Sequence, residues 1–372
     1  MAFAKDNDAL NMKAFVLLCN ISPALREEFL KQDRIFIKIT KVINQKPVPE
    51  ILISRIAAVL QSFIFGHPRA STYMIGFLLF LIEHIENQCV FDLFSSITSP
   101  SFQIKEFAEI FAQLKFEETI IKELEDPNSS PEKRAHICYI IRNCSKNLYF
   151  SKYFHSQVVV DALCDLIPLN NVYADGHLWQ AISAICDETT QEMMEGILFK
   201  AFQFVIIPTH DVHMALTCAW DFIGKMLLLV GDERFGESFQ LPNVAINLLV
   251  QFPNNSNLVG ALFRYIRNAL KIPGYCTKVL TAFVPFMITA ISENEKTAAS
   301  ASCRMFIGDL TVLRRIHPEA NKAIKNIDLF HNIKDDFVDH YFECLSESYG
   351  GEAPPPQNNG VITLQNLMRI TD

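Results

Sequence analysis

Apolar residues recur along almost the whole chain with the 3.6-residue period of helices buried along one side. In residues 51–65 the stripe is Ile53, Ile56, Ala57, Val59, Leu60, Phe63 and Ile64. Residues 103–114 repeat it with Ile104, Phe107, Ala108, Ile110, Phe111 and Leu114, and residues 256–270 with Leu258, Val259, Leu262, Phe263, Ile266 and Leu270. No succession of alternating strands joined by hairpin turns interrupts the pattern. The stripes are broken by helix start and stop chemistry at Pro47 and Pro49, Ser99-Pro100-Ser101, 126–132, 168–171, 208–211 and 253–256. Ser130 before Pro131 reads as an N-cap followed by the first helical position, and Asp211 as the cap of the helix through Val212 to Trp220. These intervals predict helices of roughly 10–20 residues joined by short turns, about sixteen to eighteen of them before Tyr349.

Many of these helices are apolar over more than one stripe, as expected where neighbours cover them on two sides. Equivalent helix pairs recur at a spacing of about 40 residues, the range of armadillo and HEAT repeats. So many short helices do not share one closed core comfortably, and 372 residues exceed what a single core usually supports. The expected fold is therefore all-α, an armadillo/HEAT-like right-handed superhelical solenoid over residues 1–348. Residues 349–372 change character: the run 352–360, EAPPPQNNG, predicts a flexible linker and tail. Ile362, Leu364, Leu367 and Ile370 in that tail would offer anchors if it served as a docking peptide.

Composition narrows the function. Half the residues are hydrophobic and 20% are charged, so a large core is available. Only 13 glycines are present, about half the usual share of roughly 7%. Folds built on tight loops and phosphate cradles use more. The net charge of −8 and the absence of any basic run beyond Arg314-Arg315 argue against a nucleic-acid partner. The most apolar run, Tyr73 to Ile82, spans about 15 Å as a helix, half a bilayer core. It reads as a buried helix, and no membrane span is expected. The N-terminus lacks a signal-peptide pattern, and the ten cysteines are scattered singly. They read as free buried thiols in a reducing compartment, the cytoplasm by default with the nucleus as the alternative.

Catalytic constellations are weak. His210 and His213 flank Asp211 at a spacing that suits a shared metal, but no third ligand follows. Cys138 and Cys144 are six apart, and no Cys-x-x-Cys, Gly-x-Ser-x-Gly, Walker loop or Gly-x-Gly-x-x-Gly occurs. The carboxylates of the segment 231–237 read as solvated loop charges. The chain is read as a non-enzyme, with no catalytic, metal or cofactor residue assigned.

Binding is expected instead, on the inner helices of the repeats, where polar residues interrupt apolar stripes. The candidate partner-binding residues are Arg142 and Asn143 in YIIRNCSKN, and Arg264, Arg267 and Asn268 in LFRYIRNAL. The competing reading for each is an ordinary polar contact between repeats.

Three segments resemble the SAPS-domain family, regulatory subunits of a type-2A-related serine/threonine phosphatase of the protein phosphatase 6 class. They are His84–Leu93 (HIENQCVFDL), Leu114–Leu124 (LKFEETIIKEL) and Phe252–Val259 (FPNNSNLV). The first is similar to a family pattern of His-Ile, an Asn, then Val-x-Asp-Leu opening a helix. The chain departs from the family at Leu258-Val259, where Leu-His is usual, and a long acidic C-terminal tail is missing. The resemblance spans about residues 30–345 and implies a scaffold that docks a phosphatase catalytic subunit, with metal and nucleophile in that partner. The alternatives are a generic armadillo-type adaptor or transport scaffold recognising peptides, and a helical enzyme. Peptide carriers use ladders of Trp and Asn, whereas only Trp179 and Trp220 occur here.

Overall fold

The computed structural model describes residues 9–30, 37, 39–41, 47–66, 74–231, 240–292, 296–316 and 318–325. Every regular element among them is helical. The predicted tail at 349–372 and most of the loop at 231–237 lie outside the described residues.

The chain divides into two compact units, residues 1–283 and 284–372. The first holds α1 (Ala9–Cys19), α2 (Pro23–Leu30), α3 (Glu50–Gly66), α4 (Ile75–Leu81), α5 (Gln88–Thr98), α6 (Lys105–Gln113), α7 (Phe116–Glu125) and α8 (Pro131–Lys146). It continues with α9 (Ser151–Phe154), α10 (Gln157–Asp165), α11 (Val172–Ile185), α12 (Glu195–Ile206), α13 (Met214–Val230), α14 (Leu241–Gln251) and α15 (Ser256–Ala269). The boundary falls within α16 (Pro273–Ser292), and α17 (Ala298–Ile316) and α18 (Pro318–Lys325) pack on each other in the second unit. The apolar run read as a buried helix is α4, continued by a 3₁₀ turn at Ile82–His84, and Ile75, Leu78, Leu81 and Ile82 are buried. Within α16, Gly274–Ser292 has the length and hydropathy of a membrane span, and half of that window is buried inside the protein.

In the first unit one row of helices runs α3, α5, α8, α11, α13, α15, each packed on the next. A second row, α7, α10, α12 and α14, packs against it. The last five helices of the first row begin at residues 88, 131, 172, 214 and 256, a repeat of 41–43 residues. Each of these five starts is fixed by the same device, a side-chain acceptor at the N-cap. Asn87, Ser130, Asn171, His213 and Asn255 accept from the backbone N–H groups of Cys89, Lys133, Ala174, Leu216 and Leu258 at 3.0–3.3 Å. A freed N–H at a helix start is thereby paired, which is worth about 1 kcal/mol per cap.

Here His213, not Asp211, caps α13. The helix begins at Met214, which leaves Asp211 two residues before the cap, where its N–H bonds the Thr209 hydroxyl. Ser130 and Pro131 hold the cap and first helical position the sequence suggests.

The apolar faces meet between the rows. Leu93, Phe94, Ile97, Ile137, Ile141, Leu178, Trp179, Ile182, Trp220, Ile223, Leu262 and Ile266 are all 0–1% exposed. Each such side chain contributes on the order of 1.5–3 kcal/mol through removal from water. Both tryptophans are thus core residues and offer nothing to a partner. Cys138, Cys144, Cys186, Cys276 and Cys303 are buried free thiols, and Cys19, Cys89, Cys164 and Cys218 are half-buried ones.

Candidate functional site

Helical spacing carries one stripe of each first-row helix to a common face. On α8 it is Tyr139, Arg142 and Lys146; on α11, Tyr173, His177, Gln180 and Ala184; on α13, Met214, Cys218, Asp221 and Lys225. Positions three or four apart lie one above the other, so each set forms a line along its helix.

At the N-terminal ends the lines are aromatic. Phe91 of α5 stacks on His136 with centroids 4.1 Å apart and meets Tyr139 edge-on at 5.2 Å. His177 stands edge-on to Tyr139 at 6.1 Å and to Tyr173 at 4.8 Å. The His136 ring nitrogen Nδ1 lies 2.9 Å from the Ile85 carbonyl. Burial, with the Arg142 guanidinium and His136 close by, holds His177 below the usual histidine range.

Toward the C-terminal ends the face turns cationic and opens into a groove of about 470 Å³. It is lined by Arg142, Lys146, Gln180, Ser183, Ala184, Cys218, Asp221 and Lys225, drawn from three successive helices of the row. Arg142 lies 5.8 Å from the Tyr139 ring centroid and donates from Nη1 to Gln180 Oε1 at 3.1 Å. Lys225 donates to the Ser183 carbonyl at 3.0 Å. Asp221 accepts two bonds from Arg264 of α15, at 2.8 and 2.9 Å. Lys146 is exposed and, among the described residues, meets no acceptor within bonding distance. Partial burial and the like charges of Arg142 and Lys225 push its ammonium below the usual lysine range. Gathering three cations here is tolerated partly because the helix C-termini carry partial negative charge.

The groove holds no obvious reactive pair. Burial pushes the Cys218 thiol up to about 11, so it stays protonated at neutral pH, and Asp221 is occupied by Arg264. His213 spends Nδ1 as a helix cap, and no group of three His, Cys, Asp or Glu residues with metal-binding geometry occurs among the described residues.

Of the five residues singled out by sequence, Arg142 and Arg264 stand at this face. Arg267 is exposed on the same helix as Arg264. Asn143 and Asn268 serve packing between helices: the Asn143 amide donates to the Ser95 carbonyl and the Asn268 amide to the Gly224 carbonyl, both at 3.2 Å. Lys146, Gln180, Cys218, Asp221 and Lys225 escaped sequence reading. The signal that would have found them is the series of caps at 87, 130, 171, 213 and 255, which sets the register of one helix against the next.

No family model matches the sequence, and no curated protein matches it.

Proposed function

We propose that the chain is a protein-binding scaffold of the armadillo/HEAT-like solenoid type, which docks another protein on the face formed by α8, α11, α13 and α15. The observation that carries this reading is a groove built across three successive helices of the row, whose cations exceed their partners among the described residues. Internal packing explains the caps, the buried stripes and the asparagine ties, but among the described residues it gives the Lys146 ammonium no acceptor beyond the partial charge of its own helix end. The aromatic strip of Phe91, Tyr139 and Tyr173 beside it supplies apolar contact area of the kind that anchors an interface.

In its sharpest form, which rests on the SAPS-family resemblance, the docked protein is a serine/threonine phosphatase catalytic subunit. The scaffold would then hold neither metal nor nucleophile of its own. Affinity purification of the tagged full chain, with co-purifying proteins identified by mass spectrometry, tests both levels. A stoichiometric partner retained by the native chain and lost from Lys146→Glu supports docking on this face. Recovery of a phosphatase catalytic subunit supports the sharper form, and a stable partner of another kind overturns it. A partner indifferent to Lys146→Glu and Arg264→Glu removes the docking face from consideration.

A further inference from the structure

Formal charge around the groove does not balance. Arg142, Lys146 and Lys225 line it, and its one lining carboxylate, Asp221, is held by both prongs of Arg264. The bonds that Arg142 and Lys225 make go to neutral oxygens, an amide and a backbone carbonyl. Among the described residues, three positive charges therefore converge with no free carboxylate beside them.

We propose that this groove receives a phosphoryl group carried by a serine or threonine of the docked protein segment, a reading that rests on the docking role proposed above. A phosphomonoester brings a charge of about −1.5 to −2 and three strong acceptor oxygens. Those oxygens match one guanidinium and two ammonium groups in number, and the charge offsets about two of the three positive charges. A single carboxylate would leave about two of the three positive charges unmet. Arg142 supplies a planar fork with Nε and Nη2 still open to an anion, and the two lysines act as compact point charges on either side. The space suits one such group with its flanking backbone, and the neighbouring Tyr139 and Tyr173 provide a surface for the residues beside it. Nucleic acid fits less well: the cations form one spot, the chain carries a net charge of −8, and a polymer of phosphates is gripped by an extended basic stripe.

The test uses the full chain and three fluorescent peptide libraries of random flanking sequence. One has a central phosphoserine or phosphothreonine, the second the unphosphorylated residue, and the third glutamate. The phosphorylated library is expected to bind about ten-fold or more tightly than either of the others, as charge-assisted bonds to a dianion imply. Inorganic phosphate is expected to compete with it. Lys146→Glu is expected to reduce that binding at least about ten-fold, while Lys146→Arg stays within about three-fold of the native chain. Among the described residues Lys146 makes no hydrogen bond, so its reversal is expected to shift the thermal midpoint only slightly, which separates lost binding from lost folding. Lys122→Glu, on the second row, leaves binding unchanged.

Equal binding of the phosphorylated and glutamate libraries would overturn the phosphoryl reading. So would phosphopeptide binding that ignores both Lys146→Glu and Lys225→Gln, and so would displacement of the library by single-stranded RNA at lower concentration than by inorganic phosphate. A partner captured from extract that depends on Lys146 but withstands phosphatase treatment also overturns it, and leaves the docking role standing.

Discussion

Arg264 and Asp221 stand 43 residues apart and face each other across α15 and α13, with Nε and Nη2 of the arginine donating to the two carboxylate oxygens at 2.8 and 2.9 Å. The arginine is 56% exposed and the aspartate 32%, so solvent screens most of the attraction. A double-mutant cycle of Arg264→Gln and Asp221→Asn, read by urea unfolding, is expected to give a coupling of at most about 1 kcal/mol. The pair matters more for charge placement. It withholds from the groove the one carboxylate that would offset Arg142, Lys146 and Lys225.

That placement gives an asymmetric expectation for anion binding. Asp221→Asn removes the negative charge that lines the groove and should tighten phosphopeptide binding by about two- to five-fold. Arg264→Gln frees the carboxylate to turn toward the groove cations and should weaken binding by a similar factor. Fluorescence anisotropy at about 0.05 and 0.15 M salt measures both, and the difference between the variants should shrink at the higher salt. Variants that move binding in the same direction would show that Asp221 does not act through charge.

Asn147, just past the end of α8, is fully buried and uses its whole side chain. Its amide donates to the Ser99 and Phe102 carbonyls at 2.7 and 3.0 Å, and its side-chain oxygen accepts from the Tyr149 and Phe150 N–H groups at 3.0 and 3.4 Å. Asn147→Ala takes the side-chain partner from the Phe102 carbonyl and the Tyr149 and Phe150 N–H groups, while the Ser99 carbonyl keeps the Phe102 N–H, and each such loss costs about 1–3 kcal/mol. A destabilisation of at least about 3 kcal/mol by chemical denaturation is expected. Asn147→Asp keeps the acceptor but sets a carboxylate against two carbonyl oxygens, so it should be no milder. A cost below about 1 kcal/mol for either would show that water replaces the lost bonds.

How far the sequence reveals this arrangement depends on whether a signal is local. The stripe Leu258 to Ile266 and the cap at Asn255 lie within one turn-and-helix unit, so periodicity and turn chemistry mark the helix directly. Asn87 does the same before Val90, where it caps α5. Helix pairing is harder. The groove joins Arg142, Gln180 and Cys218, each some 38 residues from the next, and no local pattern relates them. The caps do, but they are Asn, Ser, Asn, His and Asn, different residue types performing one function, so residue identity conceals the repeat that hydrogen bonding shows. Lys146 and Lys225 read as ordinary solvated lysines until the neighbouring helices are in place. Asn143 and Asn268 showed the converse: each is a polar residue in an apolar helix, conspicuous in sequence, and each is committed to a neighbouring carbonyl.

Close approach of α13 and α15 rests on Gly224. A Cβ built there would lie 3.1 Å from the Tyr265 Cα, a backbone atom that cannot swing away, and 3.6 Å from the Asn268 amide nitrogen. The same amide bonds the Gly224 carbonyl. Gly224→Ala gains helix propensity, which in an exposed helix would stabilise by about 1 kcal/mol. Here the helices must part, and overpacking costs about 1–3 kcal/mol, so net destabilisation is expected. A melting temperature equal to or above that of the native chain would show that the helices can separate freely.

Buried acids set the response to alkali. Burial pushes the Cys138 thiol up to about 12 and Cys186 up to about 11, and it pushes the Tyr275 hydroxyl up to about 12. In the unfolded chain the same thiols ionise near 9 and the phenol near 10. Between those values the unfolded state has released protons that the folded state still holds, so stability falls as pH rises. The contribution is complete below about pH 9 and is lost progressively towards pH 12, at no more than about 1.4 kcal/mol per group per pH unit. Urea midpoints are expected to stay level up to about pH 8.5 and then decline. Cys138→Ala removes one titrating group and should flatten the decline, although the small cavity lowers the midpoint at every pH. A midpoint that holds level through pH 11 would mean that these thiols ionise as readily folded as unfolded, and that the core around Cys138 admits water.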